Sequence, residues 1–119
     1  MSKAIITRAS DCQTVPMECG ELTWLVSKEL GNSGTMTVGR SVILPGRMNP
    51  RHYHPNCDEV LHVLQGAIVH TMDDESAELA QGDTVSIPAN VIHNARNIGS
   101  VDAILLICFS SAERETIWV

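Results

Sequence analysis

Between His52 and His62 the chain carries three histidines, a cysteine, an aspartate and a glutamate, a set of side chains whose shared chemistry is metal coordination. His52 and His54 are two apart, and residues two apart in a strand project from the same side of a sheet. Pro55 and Asn56 break that strand and Glu59 opens the next, so the turn can return its carboxylate beside both rings. His93 stands early in a later strand, just after the turn "PAN", and a closed barrel would carry it to the same point. Three imidazoles and one carboxylate suit a divalent transition ion, Fe, Mn, Ni, Co, Cu or Zn, better than Ca or Mg. Four protein ligands on an octahedral ion leave two positions open, which separates a catalytic site from a closed structural one. Glu59 has a second use here: beside a bound substrate its carboxylate can serve as general base.

The elements that must position these groups are short. Apolar runs are punctuated by Gly, Pro, Asn and Asp, and none keeps a helical period over ten to twelve residues. Strands are predicted over 21–27, 35–44, 51–54, 59–65, 67–72, 83–88, 91–97 and 102–110, with turns at "GNSG", "PNCD", "DDES", "QGD" and "NIGS". Such spacing predicts an all-β sandwich or barrel. The tail 111–119 reads either as a final strand or as an arm that packs Ile117 and Trp118 on a partner subunit. At 119 residues one domain is expected.

Eight Lys and Arg against fourteen Asp and Glu give a net charge of -6, and no basic run offers a footprint for a phosphate backbone, so nucleic acid is not an expected partner. No stretch has the length and apolarity of a membrane-spanning helix, and the first residues lack the apolar core of a secretory signal. Cys12, Cys19, Cys57 and Cys108 are then expected as reduced thiols in a cytoplasmic protein.

The segment "GRMNPRHYHPNCDEVLHVLQG" from Gly46 is a Gly, five residues, His-x-His, four residues, Glu, six residues and Gly. The segment "GDTVSIPANVIHNARN" from Gly82 is a Gly, five residues, Pro, one residue, a turn position, two residues, His, three residues and Asn. These resemble the two conserved motifs of the cupin family, over 46–66 and 82–97. The departure is Asn90, where cupins usually have Gly; Asn tolerates a left-handed turn. The resemblance implies a double-stranded β-helix whose metal is held by His52, His54, Glu59 and His93. It also implies a homodimer in which N-terminal strands often join the partner's sheet. The family's chemistry spans dioxygenases, decarboxylases, isomerases, lyases, cyclases and non-catalytic binders, so fold constrains the site more than the reaction.

Other residues receive plainer expectations. Asp58 belongs to the turn, Cys57 is a partly exposed turn thiol, and Cys108 a small buried hydrophobe. His62 faces away from Glu59, Tyr53 points outward between its inward neighbours, and His70 is exposed by default with a role beside the site as the alternative. Arg51 and Arg96 point outward, leaving Arg40 and Arg47 as candidates for a substrate carboxylate. The acidic stretch 72–78 reads as a solvated hairpin turn. With few aromatics and Ala95 facing inward, the pocket is expected to be roomy and aliphatic, lined by Met36, Ile43, Leu61, Val63, Ala95 and Ile107. The expected function is a metal-dependent, dioxygenase-type enzyme for a small organic molecule. The alternatives are a non-oxidative isomerase, cyclase, lyase or decarboxylase, and a binding protein without turnover.

Overall fold

Alternation of apolar and polar residues along short segments yields strands and almost nothing else. In the computed structural model, which describes residues 3–119, a single 3-10 turn, Ala9–Asp11, precedes eleven strands. They are β1 Gln13–Met17, β2 Gly20–Val26, β3 Thr37–Ile43, β4 His52–Tyr53, β5 Glu59–Gln65, β6 Ala67–Met72, β7 Glu75–Ala80, β8 Thr84–Ile87, β9 His93–Asn97, β10 Ala103–Phe109 and β11 Ile117–Trp118. One sheet has the order β1-β2-β3-β10-β5-β8, the other β11-β4-β9-β6-β7, and every pairing is antiparallel. The two sheets close into a double-stranded β-helix.

Inward side chains of both sheets fill the space between them. On β5, Glu59, Leu61 and Val63 are buried while Val60 and Leu64 are exposed; on β10, Ala103, Leu105, Ile107 and Phe109 are buried. Ile43, Val63, Ile68 and Leu105 are essentially without solvent contact, and each contributes about 1.5–3 kcal/mol by the apolar surface it removes from water. Cys108 alternates to the outer face of β10 and is half-buried, so it is no core residue. Cys57 departs the other way. It is 5% exposed and packed in the core, and burial is the main cause of its raised thiol pKa.

Two turn positions carry the chain from one sheet to the other. Gly66 (φ 89°) is the corner where β5 of one sheet becomes β6 of the other, and a Cβ there would lie 3.1 Å from the Ala103 Cα. Asn90 holds φ 72°, so the turn before β9 keeps the left-handed conformation without glycine. Its N–H donates to the His54 carbonyl at 3.0 Å, and the Ala89 N–H donates to the Asp58 carboxylate at 3.0 Å. Asp58 thus fastens the turn that aims His93. Asn97, 1% exposed, donates from Nδ2 to the Ile43 and Val101 carbonyls and accepts from the Gly99 N–H, each at 2.8 Å.

Two strands were not expected. β1 contains Pro16, which interrupts a strand pattern, but β1 is the edge of its sheet, where a residue without N–H is tolerated. β7 falls largely inside the acidic stretch read as a turn. The turn itself is only Asp73 and Asp74, with Asp73 at φ 52°, and Glu75 already pairs with Met72. Both faces of β7 are largely solvated, so it has no apolar alternation to read. The tail forms a strand: β11 pairs with β4, Ile117 against Tyr53 and Trp118 against His52.

Candidate metal centre

Strand register brings the four sequence-separated ligands together. β4 lies beside β9 with His52 opposite His93, His54 follows on the same face at the end of β4, and Glu59 enters from the first residue of β5 in the opposing sheet. Their ligand atoms all lie within 4.8 Å of one another, and all four residues are buried. The His93 Nε2 is 3.0 Å and the His54 Nε2 3.2 Å from the same Glu59 Oε1.

Each histidine is held by its other nitrogen. His52 Nδ1 meets the Pro50 carbonyl at 2.7 Å, His54 Nδ1 the Glu115 carbonyl at 2.8 Å, and His93 Nδ1 the Val91 carbonyl at 2.8 Å. A carbonyl only accepts, so each Nδ1 carries the proton and each Nε2 faces the centre, the orientation that ligating histidines take. With its proton on Nδ1, the buried His54 Nε2 turns a lone pair toward the Glu59 oxygen 3.2 Å away and makes no hydrogen bond, a cost that a bound cation would remove. The donor set therefore fits a divalent transition ion.

Electrostatics agree. Burial, with the neighbouring imidazoles adding to it, pushes His52 down to about 4 despite the Pro50 contact, which keeps it a neutral donor at ordinary pH. Burial raises the Glu59 carboxyl, but contacts with His54 and His93 more than offset this and hold it at about 2. His93 is lowered by burial and raised further by Glu59, ending above its usual value. An ion entering the site therefore displaces the His93 proton.

The site opens into a cavity of about 60 Å³. Of the six expected lining residues, Leu61, Ala95 and Ile107 take part. Ile43 and Val63 do point inward but are sealed in the packed core, and Met36 is 46% exposed in the turn before β3. The cavity is neither roomy nor purely aliphatic: Trp24, Phe109 and Trp118 form much of its wall. Trp24 comes from β2, and Trp118 rests 5.1 Å from the His52 ring.

His70 and Arg114 also line the cavity. His70 is 1% exposed, not at the surface, because β6 pairs with β9 and sets it opposite Ala95. Its ring stacks on His93 at 5.7 Å, neither nitrogen has a partner, and burial pushes its pKa down to about 4. The arginine expectations need one correction. Arg40 and Arg96 are exposed, Arg47 donates to the Glu18 carbonyl, and Arg51 donates to Thr71 and to the Asp73 carbonyl on the outer side. Arg114, in the segment between β10 and β11, is the arginine at the cavity. His62 stays outside and contacts the Thr84 hydroxyl at 2.7 Å.

A small two-sheet barrel with three histidines and one carboxylate converging on its interior defines a class: a β-helical domain with a mononuclear metal-binding group. Comparison with known proteins narrows this. The family model described as Cupin domain matches residues 39–109, and the chain belongs to the cupin family. Among curated relatives, Germin-like protein 3-8 of Oryza sativa subsp. japonica is 32% identical over 85 residues, covering 67% of this chain and 38% of that protein. Protein SchB of Streptomyces halstedii is 32% identical over 87 residues, covering 73% of this chain and 63% of that protein. The chain thus spans less than two thirds of either relative. Among solved structures, the oxalate decarboxylase of Lactobacillus farciminis in its formate complex superposes with a TM-score of 0.85 at 24% identity, over 92% of this chain and 34% of that one. That likeness is one of fold. Among the described residues no helix is long and apolar enough to cross a membrane, and the four cysteines are free.

Proposed function

We propose that this domain is a metal-dependent enzyme for a small organic substrate, with dioxygenase-type oxidation as its chemistry. The observation that carries the reading is the convergence of three imidazole Nε2 atoms and the Glu59 carboxylate on one cavity, each ring locked by a backbone carbonyl at Nδ1. A divalent transition ion held by His52, His54, Glu59 and His93 would supply Lewis acidity and, where redox-active, electron exchange with O₂. The chain's own residues do the rest. Leu61, Leu105, Ile107 and Phe109 give the cavity an apolar wall that excludes water and strengthens charge interactions inside. Glu59, beside the bound substrate, is the group that can accept a substrate proton.

A second reading, non-oxidative isomerisation, cyclisation, elimination or decarboxylation, is favoured by His70. Its two buried, unpartnered ring nitrogens at the cavity offer a hydrogen-bond donor and an acceptor to a substrate whose protons move.

One experiment separates the readings. The chain is reconstituted with Fe, Mn or Zn and incubated with a panel of small enols, catechols, thiols and keto acids, in air and without oxygen. O₂ consumption coupled to product with Fe or Mn, and no product without oxygen, supports oxidation. Equal turnover with Zn under anaerobic conditions overturns it in favour of the second reading.

A further inference from the structure

We propose that Arg114 anchors an anionic group of the substrate, a carboxylate or enolate, inside the cavity of the metal-binding group. This assignment rests on the reading of that cavity as an active site and names its substrate class.

Arg114 is placed and oriented as an anchor. Its guanidinium lies over the Trp24 ring at 4.3 Å and near the Phe109 ring at 5.3 Å, so two aromatic walls fix its plane. Nη1 donates to the Thr116 hydroxyl at 2.6 Å. That is its one hydrogen bond to protein among the described residues, although a guanidinium has five N–H donors in a fork that matches a carboxylate. No acidic side chain forms an ion pair with it there: Glu113 pairs with Lys28, and the Glu59 carboxylate lies against the His54 and His93 rings.

Charge points the same way. Burial lowers the Arg114 pKa, and Glu59 is the charge that most opposes this; the guanidinium stays protonated. A divalent ion takes up the Glu59 charge and leaves the cage at net +1, so with Arg114 the cavity carries two uncompensated positive charges. A partly buried cation without a counter-ion is costly, and an anionic ligand removes that cost.

Location and size complete the case. Trp24 and Arg114 also line an outer groove of about 530 Å³, so they form the partition between groove and inner cavity. The inner cavity of about 60 Å³ accommodates about four to six non-hydrogen atoms, at 10–15 Å³ for each water-sized position. A small monoanion of keto-acid size fits those limits.

The alternative is a purely structural Arg114 that caps Trp24 and Phe109. Calorimetric titration of the full chain distinguishes them, using formate, acetate, pyruvate and malonate, each against its neutral amide, with metal content measured on every sample. At least one anion should bind the metal-loaded wild type ten-fold or more tighter than its amide. Arg114→Gln should lose about 10- to 100-fold of the anion affinity with metal content and amide affinity unchanged, and Arg114→Lys should retain part of the preference. If no anion is preferred, or if Arg114→Gln keeps the preference, the assignment is overturned. A chain that binds no metal overturns the proposed function instead. The same titrations on the metal-free chain then decide the role of Arg114, which is charged in either state.

Discussion

The buried histidines make the metal-free protein acid-sensitive, with a predictable sign and size. His52 is 8% and His70 1% exposed, and burial pushes both from 6.5 to about 4. As pH falls below 6.5 the unfolded chain takes up these two protons while the folded chain refuses them until about pH 4, so stability falls with pH across that window. Two and a half pKa units correspond to roughly 3 kcal/mol for each histidine, or roughly 6 kcal/mol together. His93 acts oppositely. Its folded pKa is raised, so its contribution is complete below 6.5 and is lost as pH rises. This offsets part of the loss near pH 6.5 and concentrates the net fall between about pH 6 and 4. Roughly 3 to 6 kcal/mol is a large part of a domain's usual 5–15 kcal/mol.

The assay is urea unfolding of the chelator-treated protein at pH 7, 6, 5 and 4.5, followed by Trp24 and Trp118 fluorescence. The midpoint should drop steeply below pH 6. His70→Phe removes one of the two titrating groups at similar volume and should reduce the pH 6-to-4 loss by about half. A midpoint independent of pH from 6 to 4.5, or an undiminished slope in His70→Phe, would mean that these buried histidines do not set the acid sensitivity. Below pH 4.5 a further loss is due from Glu59, whose depressed pKa of about 2 stabilises the fold only while it stays ionised.

Asn97→Ala removes three hydrogen bonds and leaves the Ile43 and Val101 carbonyls without that donor, which should cost about 2–4 kcal/mol in chemical denaturation; a loss under 0.5 kcal/mol would contradict the role given to it. Ala95→Leu adds three carbons beside a cavity of about 60 Å³. Metal content should persist while turnover or anion binding falls by at least ten-fold, and unchanged binding would show that substrates do not occupy this cavity.

Most of the fold was legible because burial on one face leaves a period of two: β5 and β6 match the expected 59–65 and 67–72 residue for residue. The ligands were legible because the His52–His54 spacing, the Glu59 turn and the His93 strand start are local features that the barrel only brings together. What sequence could not reveal lies where local pattern and tertiary fate diverge. β7 is solvated on both faces and β1 contains a proline, so neither carries the alternating signal. Ile43 and Val63 do face inward, but alternation does not say how deep along the barrel a side chain sits, and Met36 falls in the turn just before β3 and so escapes the strand's alternation. His70 looked exposed until its strand was known to lie between β7 and β9. Arg114 sits in a tail without periodicity, and only the closed fold places it over Trp24 and Phe109 at the cavity.

The central claim, that His52, His54, Glu59 and His93 hold a divalent transition metal, is tested most directly by elemental analysis of the reconstituted chain beside His54→Ala. About one ion per wild-type chain is expected, released with proton uptake as pH falls, with a loss of affinity of at least ten-fold in His54→Ala. A wild-type chain with no affinity for Fe, Mn, Co, Ni, Cu or Zn, or a His54→Ala variant that binds as tightly, would contradict it.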